Sequence, residues 1–109
     1  MYQTILNNIA FIKVNGKDAR DFLQGQISND ISLLQQQKLI RACICNLKGR
    51  ILTLLDIFII NDVYILALPQ ELQQKIIHNL QHYAKFSQIE IKSTTEFMAV
   101  AYYLSLIHI

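Results

Sequence analysis

Gln24, Gln26, Asn29 and Asp30 gather side-chain amides and a carboxylate around Gly25, at a break in helical periodicity. Such a set offers the donors and acceptors that would bind the polar edge of a heterocycle such as a pterin. The same residue types also end helices and form turns, so ligand binding and local structure both remain open here. Lys48-Gly49-Arg50 sets two cations around a glycine turn, suited to carboxylates or RNA phosphates, or to nothing more than a solvated hairpin tip. Asp56 interrupts an apolar strand on the side of Leu52, Leu54, Phe58 and Ile60. A carboxylate there must be paired, hydrogen-bonded or close to water, so it lines a cavity or an uncovered sheet face.

Cys43 and Cys45 are two apart on a strand and share a face, a spacing poor for a local disulfide and incomplete as a metal site. Buried, reduced thiols are the expectation. His78 and His82 are four apart on a helix, but no acidic third ligand follows, and a solvated polar face is expected. Neither a metal site nor a catalytic residue is expected in the chain.

The elements that would position these residues follow from periodicity. Ile9 to Val14 reads as a strand ending at Asn15-Gly16. A helix follows, capped by Asn15 with Asp18 three residues on, and Ala19, Phe22, Leu23 and Ile27 fall on one face. Ser28-Asn29-Asp30 caps a short helical segment carrying Ile31 and Leu34. From Leu39 onward LIRACICNL, RILTLLDIFII and VYILAL, separated by Lys48-Gly49 and Asn61-Asp62, predict an antiparallel three-stranded meander. Pro69-Gln70-Glu71 opens a second helix with Leu72, Ile76, Leu80, Tyr83 and Ala84 on its buried stripe. Gln88 to Lys92 and Phe97 to Tyr103 read as further strands. Helices packed on one antiparallel sheet give an α+β class.

The chain has 109 residues, of which 52% are hydrophobic and 17% charged, the make-up of one compact domain. A net charge of +2 without a basic cluster gives no charge-based support for a nucleic-acid or membrane surface. The longest apolar run, Ile51 to Ile60, falls short of the roughly 20 residues that cross a bilayer. No leader pattern opens the sequence, and two cysteines suit a reducing cytoplasm. Residues 104–109, LSLIHI, match what a transposon-end sequencing adapter encodes. The expected organisation is therefore a partial domain over 1–103 and an adapter-derived tail over 104–109.

Three segments carry a family resemblance. VNGKDARDFLQGQISNDIS, Val14 to Ser32, is similar to the amino-terminal signature of the YgfZ family of folate-binding proteins, relatives of the glycine-cleavage aminomethyltransferase. CNLKGRIL, Cys45 to Leu52, resembles that family's Asn-x-Lys-Gly-Arg hairpin, and HYAKFSQIEI, His82 to Ile91, its Lys-Tyr-x-x-Phe-Ser segment. The resemblance implies the amino-terminal domain type of aminomethyltransferases and YgfZ, with related domains ringed around a tetrahydrofolate site in a protein about three times as long. It implies a cytoplasmic accessory role in iron–sulfur cluster assembly or repair and tRNA modification, with folate and iron–sulfur proteins as partners. The family's Lys-Gly-Cys-x-x-Gly-Gln-Glu segment is not found in these 109 residues. By resemblance the folate set is Ile9, Gln24, Gly25, Gln26, Asn29, Asp30 and Asp56, with Lys48, Gly49 and Arg50 as an anion-binding hairpin. Some members carry tryptophan where Ile9 stands, so an aliphatic surface replaces ring stacking.

Two alternatives are an aminomethyltransferase and an RNA-binding or interaction module. Aligned through Gly49, Thr53 and Leu54 occupy the positions of the aminomethyltransferase aspartate pair, and neither can act as a carboxylate. That favours an accessory role over methylene transfer.

Overall fold

The computed structural model describes residues 8–46 and 48–107. Residues 1–7, Leu47, and His108 and Ile109 of the expected tail lie outside the described residues. Strands β1 (Ile9–Asn15), β2 (Ile40–Cys45), β3 (Ile51–Ile60), β4 (Val63–Pro69) and β5 (Glu90–Thr94) form one antiparallel sheet in the order β2-β3-β4-β1-β5. Helices α1 (Ala19–Gln26), α2 (Gln73–Tyr83) and α3 (Phe97–Ile107) pack on it, with short 3-10 turns at Ile31–Gln35 and Gln70–Leu72. The expected α+β class is the one observed, and the meander of β2, β3 and β4 falls where alternation and turn residues put it.

Each strand sends alternate side chains to opposite faces, and the two faces collect separate cores. Ile12, Val14, Ile57 and Leu66 meet Phe22 and Leu23 of α1 and Ile76 and Leu80 of α2 in the larger one. Phe11, Phe58, Ile65 and Ala67 meet Tyr103 of α3 in the smaller. β3 and β4 turn through Asn61 and Asp62, both at positive φ (50° and 66°), the two-residue geometry that follows the native twist of a hairpin.

Gly16 is required by close approach. It has φ 132°, and a Cβ there would collide with the backbone oxygen of Gln88 and come within 2.8 Å of Ile89 Cα. Gln88 N–H donates to Asp18 Oδ2 at 2.7 Å, which docks the segment before β5 against the start of α1. Asn15 is therefore not the cap expected from its type: it ends β1 opposite Glu90, and Asp18, at the helix start, turns its carboxylate to Gln88. The same docking explains why β5 starts at Glu90, two residues beyond the expected start.

Phe97 to Tyr103, expected as a strand, is helical and belongs to α3. Setting residues 104–109 aside left seven residues, nearly all apolar, in which neither period could show. Over the longer run Val100, Tyr103, Leu106 and Ile107 recur at helical spacing against the smaller core. Tyr83, expected on the buried stripe of α2, is exposed, and Ile77 takes part in the core instead.

Candidate functional site

Asp56 is held where strand alternation directs it, on the face of β3 that also carries Phe58. It is 6% exposed. Its cross-strand neighbour on β2 is Arg41, whose Nε donates to Oδ1 at 3.0 Å. Tyr103 reaches it from α3, and its hydroxyl donates to Oδ2 at 2.7 Å. The Tyr103 ring is itself fixed, stacked on Phe58 at 5.6 Å and edge-on to Phe11 at 5.5 Å. A carboxylate in an apolar strand thus has a cation on one oxygen and a phenol on the other, as burial requires.

Burial, then the hydrogen bond and charge of Asp56, push the Tyr103 phenol well above its ordinary range. The hydrogen bond to Asp56, then its charge, raises the Arg41 guanidinium further. Tyr103 consequently stays a donor at neutral pH. Beside the triad lies a cleft of about 200 Å³, walled by Ile9, Leu54, Ala67 and Pro69, with Arg41, Asp56 and Tyr103 as its polar side. The Arg41 side chain is 73% exposed and forms the wet rim, whereas the carboxylate lies at the floor.

Of the residues named from the sequence, Ile9 and Asp56 meet in this cleft. The others lie elsewhere. Gln24 uses both ends of its amide within the turn after α1, donating to Asn29 O at 3.0 Å and accepting from Ile31 N–H at 2.8 Å. Asn29 donates to Arg41 O at 3.0 Å, and Asp30 caps Ser32 at 2.9 Å. That contact, first through the Ser32 hydroxyl and then its N–H, holds the Asp30 carboxyl below its usual range. Gly25 and Gln26 border a separate hollow of about 550 Å³ at the outer edge of β2. Lys48, Gly49 and Arg50 form the β2–β3 hairpin, pinned by Asn46 Oδ1, which accepts from Lys48 N–H at 2.9 Å and Arg50 N–H at 3.0 Å. Lys48 and Arg50 border a further hollow with Tyr83.

Arg41 and Tyr103 were missed. Arg41 had a signal, the one charged residue in LIRACIC, opposite Asp56 once the hairpin register is counted. Tyr103 has none, because the apolar run Phe97 to Tyr103 shows no helical period of its own. The thiols correct a further expectation: Cys43 is half-buried and Cys45 exposed, both free, because the face of β2 they share is not covered by α3. His78 and His82 are exposed, as expected. Among the described residues no three His, Cys, Asp or Glu side chains group to hold a metal, and no helix is long and apolar enough to cross a membrane.

The fold aligns with the glycine cleavage system aminomethyltransferase T from Bartonella henselae at a TM-score of 0.72, over 79% of this chain and 24% of that one, with 20% identity. The chain therefore has the fold of an aminomethyltransferase-type α+β domain. In sequence it is 36% identical over 88 residues to the tRNA-modifying protein YgfZ of Buchnera aphidicola subsp. Baizongia pistaciae, across 81% of this chain and 28% of that protein. The YgfZ of Hamiltonella defensa subsp. Acyrthosiphon pisum is 35% identical over 91 residues, across 80% of the chain and 26% of its own length. No family model matches the chain. The chain belongs with the YgfZ proteins, and it spans less than a third of the length of these relatives.

Proposed function

We propose that this domain contributes one wall of a tetrahydrofolate site in a cytoplasmic accessory protein that supports iron–sulfur cluster assembly or repair and tRNA modification. The observation that carries this reading is the carboxylate of Asp56 at the floor of an apolar-walled cleft. Two hydrogen bonds engage two of its roughly four lone-pair sites, so it retains acceptor capacity for the N–H edge of a pterin. Ile9, Leu54 and Pro69 supply the apolar surface that would flank the ring, and Arg41 at the rim suits the anionic end of a folate.

The cleft volume is below the roughly 300 to 1,000 Å³ of a complete small-molecule site, which fits a wall holding the ring end while the rest of the protein encloses the remainder. Tetrahydrofolate, when bound, supplies an amine that accepts one-carbon units. Methylene transfer is the weaker reading, because Thr53 is buried with its hydroxyl donating to Leu54 O at 2.8 Å and Leu54 is apolar, leaving no carboxylate at either position. Direct RNA binding would rest on Lys48 and Arg50 alone, and predicts a steep loss of affinity with salt.

Titration of tetrahydrofolate onto the full-length protein tests the reading. Asp56→Asn should weaken binding about tenfold or more, the loss of one charge-assisted hydrogen bond. Wild-type affinity in a folded Asp56→Asn variant, or RNA affinity that falls with salt and no folate binding, would refute it.

A further inference from the structure

On the edge strand β2, the Cys43 and Cys45 sulfurs lie 4.0 Å apart. Alternation places both on one side of β2, and the register shifts between Ile44, opposite Thr53, and Cys45, opposite Ile51. The edge strand is fixed at this point. Cys43 accepts from Ser28 N–H at 3.0 Å through its carbonyl and donates its own N–H to Ser28 Oγ at 2.9 Å. Cys43 and Cys45 both border the hollow of about 550 Å³ that Gly25, Gln26 and Ser28 also border.

We propose that Cys43 and Cys45 together bind a thiophilic metal ion, Cu(I), as a two-thiolate chelate. Two metal–sulfur bonds of roughly 2.3 Å diverging by about 120° put their sulfurs about 4.0 Å apart, so the pair needs little rearrangement to share one ion. Ligand number selects the metal. Zn(II) in a protein is held by four ligands, or three and a water, and among the described residues no third His, Cys, Asp or Glu joins the pair. Cu(I) is soft, is selected by thiolates and is satisfied by two or three ligands, the third coming from solvent or a small thiol. One Cu(I) displaces one proton from each thiol, giving an anionic dithiolate complex and two released protons, with no electron transferred. Lys48 and Arg50 in the adjoining hollow, which shares Asn46 and Tyr83 with this one, provide positive charge that favours such an anion. Each thiol must release its proton to bind the metal, so affinity should increase with pH.

The test is an oxygen-free titration of reduced full-length protein with Cu(I) against the chromophoric chelator bicinchoninate. One ion should bind in a manner that needs both thiols, with Cys43→Ser and Cys45→Ser each weakening it at least about a hundredfold and the double variant losing it, because the second thiolate acts at a high effective concentration. Circular dichroism and unfolding of the serine and alanine variants verify that the fold is intact. Single variants within about threefold of wild type would overturn the proposal, since a chelate cannot survive the loss of either arm. So would retained binding in the double variant, a preference for Zn(II), or thiols that close to a disulfide in air and take no Cu(I) once reduced. Tetrahydrofolate affinity should be unchanged in the double variant, which separates this result from that for the Asp56 cleft.

Discussion

Asp56 shows how one polar residue in an apolar strand organises its surroundings. Its two oxygens account for Arg41 and Tyr103, and removing either partner leaves a buried acceptor short of a donor. Tyr103→Phe should cost about 1 to 3 kcal/mol, measured by chemical unfolding. The pH dependence has a definite sign. Folding raises the Tyr103 phenol above its unfolded value of about 10, so its contribution is full below that pH and is lost as pH rises toward the folded value. Unfolding measured from about pH 8 to about pH 11 should therefore show a shallower alkaline decline in Tyr103→Phe than in wild type. Parallel curves would show that the phenol is not perturbed by its surroundings.

Among the elements, the turn between β1 and α1 is the junction on which the position of β5 depends. Gly16→Ala forces an L-residue into a left-handed conformation and a Cβ into the Gln88 backbone, and should destabilise by about 2 kcal/mol or more. Gly25 makes the contrasting case. It lies within α1, a Cβ there meets nothing within 4 Å, and Gly25→Ala should stabilise by up to about 1 kcal/mol through helix propensity. Opposite signs for the two substitutions in thermal unfolding are the expected result, and equal signs would contradict the close packing at Gly16. α3 belongs to the same scale. It covers the smaller core and brings Tyr103 to Asp56, so the second face of the sheet has a helix where sequence patterning supplied only strands.

For the whole molecule, that second cover is incomplete. Leu55 to Phe58 are buried in succession, as a strand covered on both faces should be, yet Ile51 is 61% exposed and Leu54 60% toward the hairpin end of β3. Contiguous aliphatic surface of this kind favours association. The 109-residue chain by itself should self-associate, and Leu54→Lys should weaken that association about tenfold or more in sedimentation experiments. A chain that stays monomeric at high concentration would show that the exposed leucine has no such effect.

Sequence by itself determined the sheet-forming meander, two of the three helices among the described residues, the Asn61-Asp62 turn and the family, because alternation, turn chemistry and the three signature segments are local signals. It also pointed to Asp56, since a carboxylate in an apolar strand is conspicuous without coordinates, and the family resemblance pointed to Ile9. What it could not determine was which of its polar residues meet. Gln24, Asn29 and Asp30 satisfy one another and nearby backbone groups in a turn, whereas Arg41, Asp56 and Tyr103 come from two adjacent strands and a helix 47 residues beyond the carboxylate. That encounter depends on strand register and on α3 folding back across the sheet, and both follow from burying Phe11, Phe58 and Tyr103 together. Whether the two cysteines were buried was likewise decided only by tertiary packing, because α3 covers the face of β3 and β4 and leaves the edge strand β2 open.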